Sequence, residues 1–288
     1  MFWSKSSRTN RKFMTNETKN LIRGLGGAKH SLGQHFLTNE AVVRRMVETA
    51  QVGSADTVLE IGPGLGILTR EILRAKPKKL IACELDKQLF THLKDEIKDK
   101  NLKLINQNAL LLIPQLIVDP PLKVISNLPY NISSPVIISL LSVCPTMPAE
   151  VIVMLQKEVA ERLTAKPGDS NRGLLTVFIE LFGETKIIEK LPRNFFYPPP
   201  EVDSAVLSID KIENRDFEPK KAFKIIKLAF AKKRKKIKNS LFSSLKISGK
   251  EAQKIAQLSA MSLEDRPEDL DRDQWLKLIK ILLEKIAD

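Results

Sequence analysis

The sequence predicts an α/β protein: a mostly parallel sheet covered by helices on both faces, followed by a small all-helical unit. Three observations predict it. Strand and helix signals alternate from residue 40 to residue 163, the pattern of parallel strands joined by crossover helices. The first strand runs into a glycine-rich turn that opens a helix. After about residue 212 the strand signals stop, and residues 212–288 hold one glycine, Gly249, and two prolines, Pro219 and Pro267.

The elements follow in order. Residues 1–28 are polar and basic with little periodicity, and read as a disordered extension apart from a short helical stretch near 17–25. Met14 offers a second start, so the first thirteen residues read as an upstream extension, with a basic, acid-poor targeting segment as the competing reading. Ala41 to Ala50 has apolar residues at helical spacing. Thr57 to Ile61 is a buried-strand run ending at Gly62. Leu68 to Leu73 reads as helix, Leu80 to Glu84 as a second strand, and Leu85 to Ile97 as an amphipathic helix. Leu102 to Ile105 and Lys123 to Ser126 are strands, Val136 to Leu141 is helix, and Val151 to Leu155 is a strand followed by helix through Leu163. Leu174 to Phe182 and Val202 to Ile209 read as an antiparallel hairpin at the sheet edge, since no long helix separates them. Beyond 212, Phe223, Ile226, Ile237, Leu241, Leu276, Ile279 and Leu283 recur at helical spacing. The expected organisation is an extension at 1–28, an α/β domain at 29–211 and a helical domain at 212–288.

Composition excludes several classes. Of the 288 residues, 43% are hydrophobic, enough for a core and against a disordered chain. Two cysteines cannot build a disulfide framework and point to a reducing, cytoplasmic setting. No apolar run is long enough to span a bilayer; Leu110 to Val118 is interrupted by Pro114. His30, His35 and His92 lack ligand spacing with acids or thiols, so no metal is expected.

The net charge of +13 is concentrated. Residues 1–30 carry +6, and the run Lys232, Lys233, Arg234, Lys235, Lys236, Ile237, Lys238 carries another +6. Clusters of this kind are the electrostatic footprint of a polyanion binder. For the extension, a solvated basic tail is an equally good reading. For 232–238, set in a helical pattern, phosphate binding is favoured.

Two loops carry the chemistry. Gly62, Gly64 and Gly66 form a G-x-G-x-G turn after the first strand, and Glu84 ends the next strand 22 positions after Gly62. Glycines let a backbone approach a nucleoside closely, and an acid at the second strand tip accepts from ribose hydroxyls. The spacing departs from the G-x-G-x-x-G of dinucleotide binders and suits S-adenosylmethionine, a nucleoside without phosphate. Asn127-Leu128-Pro129-Tyr130 follows a later strand, at the carboxyl end where open α/β sheets place ligands. The Asn127 side-chain oxygen and the Leu128 carbonyl can both accept from an exocyclic amine, drawing its nitrogen toward tetrahedral geometry. Tyr130 can stack on the base. A third segment, Phe195-Phe196-Tyr197-Pro198-Pro199-Pro200, reads as a stiff aromatic loop that could wall a flipped base.

These stretches resemble the ribosomal RNA adenine dimethyltransferases of KsgA type, a family that includes the Erm resistance enzymes. The resemblance is carried by SLGQHFL (31–37), VLEIGPGLGILT (58–69), ACELD (82–86), NLPYNISSPV (127–136), VMLQKEVAERL (153–163), FFYPPPEVDSAV (195–206) and AFAKKRKKIKNSL (229–241). The last stretch is similar to the KsgA branch. The resemblance implies a Rossmann-like S-adenosylmethionine-dependent methyltransferase domain and a helical C-terminal domain. It implies dimethylation of N6 on two adjacent adenosines in the 3′-terminal hairpin of small-subunit rRNA, within immature 30S particles, by a monomeric enzyme. It places His35, Leu37, Gly62, Gly64, Glu84, Asn108 and Asn127 on the cofactor. It places Asn127, Leu128 and Tyr130 on the target adenine, with Phe196 stacking, and Lys232, Lys233, Arg234, Lys235, Lys236 and Lys238 on RNA. Two positions depart from the family pattern. Asn108 stands where an Asp is usual, and Arg172-Gly173 where an aromatic-Gly pair is common.

Competing readings are an Erm-type enzyme acting on large-subunit rRNA and a non-catalytic assembly factor on the same fold. The loop spacing argues against an NAD-dependent oxidoreductase. The positions of Cys83, in a strand, and Cys144, at a helix end, argue against a cysteine-dependent pyrimidine methyltransferase.

Overall fold

The computed structural model describes residues 16–29, 32–232 and 234–287. The elements are α1 (Asn16–Gly24), β1 (Phe36–Leu37), α2 (Glu40–Thr49), β2 (Thr57–Ile61), α3 (Ile67–Arg74), β3 (Lys79–Glu84), α4 (Lys87–Glu96), β4 (Leu102–Asn106), α5 (Ala109–Leu112), β5 (Leu122–Asn127), α6 (Ser133–Ser142), β6 (Pro148–Gln156), α7 (Lys157–Leu163), α8 (Leu174–Glu180), β7 (Glu184–Leu191), β8 (Phe196–Tyr197), β9 (Ser204–Asp210), α9 (Pro219–Phe230), α10 (Gly249–Leu258) and α11 (Arg272–Ala287).

A seven-stranded sheet runs β4-β3-β2-β5-β6-β9-β7. The first five strands are mutually parallel; β9 is antiparallel to β6 and to β7. Every residue of β2 is buried, as expected of a central strand covered on both faces. The chain leaves β2 toward β3 on one side and returns at β5 on the other. The carboxyl ends of β2 and β5 therefore flank the switch point, where a crevice opens. Local sequence sets the helix starts. The Asn39 side chain accepts from the Ala41 and Val42 N–H groups at the start of α2, and the Asp86 side chain accepts from Gln88 N–H at the start of α4. Pro219 sits in the first turn of α9.

The two sheet faces differ. One apolar cluster joins α2, α3, β1 and β8 to the sheet through Val42, Met46, Leu68, Ile72, Leu37 and Phe196. The other is continuous from α6 and α8 into the C-terminal helices, from Val136 and Phe178 to Trp275 and Leu282. The C-terminal helices thus share one core with the sheet.

Three expectations change. The run at 174–182 is helix α8, not a strand. Gly173 precedes it, with Thr176 Oγ1 accepting from Gly173 N–H at 3.3 Å. Its β-branched and aromatic residues are buried between sheet and C-terminal helices, a setting in which apolar periodicity does not separate helix from strand. The strand at the sheet edge is the charged β7, whose Glu and Lys residues suit an edge. The short helix expected near 17–25 is present as α1, which buries Ile22 against Phe36 and Leu89; residues 1–15, with the reading of Met14 as a start, lie outside the described residues. Finally, the basic run is not helical. Helix α9 ends at Phe230, Arg234 takes a left-handed φ of 61°, and a π-helical turn spans Lys238–Phe242. Buried Ile237 ties this turn down, its N–H donating to the Asp265 carbonyl at 2.8 Å.

Candidate active site

A cavity opens at the carboxyl ends of β2, β3 and β5. Its lining includes His35, Leu37, Glu60, Gly62, Gly64, Glu84, Asn108, Asn127, Leu128 and Tyr130. The glycine turn forms one wall. Gly64 has φ +60°, and a Cβ there would sit 3.2 Å from the Phe36 ring; Gly66 has φ +79°, and a Cβ there would sit 2.7 Å from Leu93 Cδ2. Glycine is required at both by backbone and by space.

Glu84 closes the floor. One carboxylate oxygen accepts from Gly64 N–H at 3.1 Å and the other from Asp86 N–H at 2.9 Å. Burial raises its pKa, and these N–H groups oppose the rise. Each oxygen keeps a lone pair for a ligand hydroxyl. Asn108 caps α5, its side-chain oxygen accepting from Leu110 N–H at 2.9 Å. That oxygen too retains one lone pair.

The Asn127–Tyr130 loop is anchored from several sides. Ser126 donates to the Ile61 carbonyl at 2.5 Å and Ser133 donates to the Tyr130 carbonyl at 3.1 Å. Asn127 Nδ2 donates to the His35 carbonyl at 3.3 Å, which orients the amide at the cavity lining. The Tyr130 hydroxyl hydrogen-bonds Ser204 at 2.6 Å, and its ring stacks on His35 at 5.6 Å and 27°. Burial raises the Tyr130 pKa, so its hydroxyl stays protonated. His35 is fixed in turn: Nδ1–H donates to the Pro198 carbonyl at 2.8 Å.

The N-terminal segment straps across this site. Lys29 and Gln34 both reach Asp86, at 2.7 and 3.0 Å, and the Lys19 ammonium lies 5.8 Å above the Tyr197 ring centre. Burial alone would raise the Asp86 pKa, but Lys29, Gln34 and the Gln88 N–H outweigh it and hold the carboxyl below its ordinary value. The strap was legible only as basic charge, because its contacts are made to residues far along the chain.

The donor set tests which cofactor fits. Among the described residues, the cavity lining contains two buried acids and no lysine or arginine. A pyrophosphate would meet no compensating cation there, whereas a cationic, phosphate-free nucleoside suits it. Both thiols are held protonated, Cys83 pushed up to about 12 by burial and by Glu84, and Cys144 pushed up to about 11 by burial. Among the described residues no cluster of three or more His, Cys, Asp or Glu could hold a metal, and no helix is long and apolar enough to cross a membrane.

All seven expected cofactor residues line the cavity, together with Leu128 and Tyr130. Phe196 does not. It is 4% exposed, pairs with Leu37 across the β1–β8 ladder and packs in the apolar cluster, so its ring offers no free face to a base. Of the basic run, Lys233 lies outside the described residues. Lys232, Arg234 and Lys235 are exposed, while Lys236 and Lys238 both pair with Glu264. Sequence reasoning gave Glu60 no role, although it stands two residues before Gly62 and lines the cavity. Its signal was an acid inside an otherwise apolar strand.

Comparison with known proteins agrees with this geometry. The family model described as "Ribosomal RNA adenine dimethylase" matches residues 27–284. The chain is 36% identical over 262 residues to Ribosomal RNA small subunit methyltransferase A of Dehalococcoides mccartyi (strain CBDB1), covering 87% of each. It is 32% identical over 267 residues to the protein of that name from Clostridioides difficile (strain 630), covering 89% of this chain and 91% of the other. Among solved structures it is similar to a dimethyladenosine transferase from Plasmodium falciparum (TM-score 0.71, 27% identity, 87% of this chain and 98% of that one). It is also similar to the 23S rRNA methyltransferase ErmE (TM-score 0.65, 25% identity, 85% and 98%). The chain belongs to the ribosomal RNA adenine dimethylase family.

Proposed function

We propose that this protein dimethylates N6 of two adjacent adenosines in the 3′-terminal hairpin of small-subunit rRNA. The cofactor is S-adenosylmethionine, and the enzyme acts as a monomer on immature 30S particles in the cytoplasm. The observation that carries this reading is the anchored Asn127–Tyr130 loop at the mouth of an acidic, cation-free cavity. The names of the curated relatives favour the small subunit over the Erm-type large-subunit substrate.

When bound, the cofactor supplies an electrophilic methyl on a positively charged sulfur. Glu84 accepts from its ribose hydroxyls and Asn108 from its adenine amine, while Gly62 and Gly64 allow close backbone approach and His35 and Leu37 cover the site. Asn127 Oδ1 and the Leu128 carbonyl accept from the target amine and aim its lone pair. Tyr130, held by Ser204 and His35, supplies a flat wall for the base. Catalysis is then mainly positioning. No strong base is needed, because the amine proton becomes acidic only after attack. Lys232, Lys233, Arg234, Lys235, Lys236 and Lys238 contact RNA phosphates.

The test is incubation with labelled cofactor and either immature small subunits or naked large-subunit RNA, followed by mass-spectrometric mapping of dimethyladenosine. Label on two adjacent small-subunit adenosines is expected. Label on large-subunit RNA alone would reassign the protein to the Erm branch, and no label on either would leave a binding factor.

A further inference from the structure

The cofactor reading leaves one buried group unused. Glu60 lies on β2, two positions after Val58 and on the same face of the sheet, opposite Ala82 of β3. It is 1% exposed and lines the cavity. Its Oε2 has no hydrogen-bond partner among the described residues, and neither does the buried hydroxyl of Thr69 in the first turn of α3. A buried carboxylate with no cation and no full set of donors is costly, so such a group resides as the neutral acid until a positive charge arrives.

The surroundings bear this out. The helices and strands packed on that face contribute Val42, Met46, Leu68, Ile72 and Ile125, all apolar. The other titratable groups lining the cavity are His35, Cys83, Glu84 and Tyr130. His35 is engaged by the Pro198 carbonyl, and Cys83 and Tyr130 are held protonated. Glu84 is the charged neighbour, and its repulsion adds to burial in pushing the Glu60 carboxyl up to about 8, with the nearby Thr69 hydroxyl working against it.

We infer that Glu60 is a charge-matching group for the cofactor: neutral in the empty cavity, ionised when the sulfonium is bound, and neutral again once the methyl has left. This rests on the cofactor reading above. The ammonium and carboxylate of the methionine tail largely cancel, so the sulfonium is the uncompensated charge. The demethylated product lacks it. Glu60 therefore favours substrate over product by electrostatics alone, without touching the reacting atoms, and its proton exchanges with solvent on binding.

The test is isothermal titration of the whole protein with S-adenosylmethionine and with S-adenosylhomocysteine at pH 7, in two buffers of different ionisation enthalpy. Wild type should release most of one proton with the sulfonium ligand and clearly less with the product. Glu60→Gln, which mimics the neutral acid in shape, should release almost none with either and should lose much of the preference for the sulfonium ligand. Equal proton counts for both ligands, or buffer-independent heats in wild type, would overturn the inference whatever the variant does. Failure of either ligand to bind would instead strike the cofactor reading itself.

Discussion

The cavity beneath the glycine turn holds two buried acids and no cationic side chain, whereas Lys232, Arg234, Lys235 and Lys236 are exposed, and Lys236 and Lys238 lean on one acid, Glu264. Both regions carry charge, but in different physical settings. In the cavity Glu84, Asn108, Asn127 and Tyr130 are each held by named partners, so a single atom decides the outcome. On the turn the cations are solvated and screened, so each contributes little and their number matters. Changes in the first region should therefore act on chemistry or stability in large steps, and changes in the second on affinity in small ones.

The largest expected effect is at Asn127. Replacing it by Ala removes the side-chain acceptor and also frees the His35 carbonyl. Methyl transfer should fall by on the order of 10²- to 10³-fold, the scale for one positioned hydrogen-bonding group in a site. RNA binding, which the proposed function assigns to the basic turn, should change little. Single-turnover transfer and filter binding of the same variant separate the two, and retained turnover would remove Asn127 from the mechanism.

A smaller step is expected at Gly66, which tests the cavity wall. An alanine there must hold φ +79° with its Cβ 2.7 Å from Leu93 Cδ2 and 2.9 Å from Ile97 Cδ1. The cost should be about 1–3 kcal/mol, seen as a Tm lowered by several degrees. Gly168 is the control: its φ is +85° but nothing lies within 4 Å of the added Cβ, so Gly168→Ala should cost less. Equal losses at both positions would mean that backbone strain alone matters and the close packing against Leu93 and Ile97 does not.

The same contrast explains what could be read from the sequence. The central parallel strands were legible because each is a buried apolar run between turn signals, as Thr57–Ile61 is before Gly62. The cavity residues were legible because turn glycines, a strand-tip acid and Asn-Leu-Pro-Tyr are local patterns. What escaped depends on distant partners. Helix α8 is buried through Thr176, Val177, Phe178 and Ile179, in part against helices α9 and α11 later in the chain, and its β-branched residues then imitate a strand. Phe196 looked like a stacking residue because its neighbours are aromatic and proline, but pairing with Leu37 159 positions away turns it into the core. The basic run looked helical because Ile237 and Leu241 keep helical spacing, although Arg234 breaks the helix between them and Phe223.

The smallest effect, and the sharpest test of the surface half of the comparison, is at Glu264. It is exposed, and Lys236 and Lys238 hold its pKa down to about 2. A carboxyl lowered from 4.5 keeps both ion pairs above its ordinary range and loses them only as the pH falls toward 2, so they are intact at neutral pH. There the carboxylate occupies the place an RNA phosphate would take on the two lysines. Glu264→Gln should therefore raise RNA affinity a few-fold, as expected of exposed pairs, and leave methyl transfer at saturating RNA unchanged. It should also steepen the salt dependence, since each additional phosphate contact contributes roughly −0.7 to −0.9 to the log–log slope. Measured from low to moderate salt, an unchanged slope in the variant would show that Lys236 and Lys238 stand apart from the RNA. The interface would then fall to Lys232, Lys233, Arg234 and Lys235.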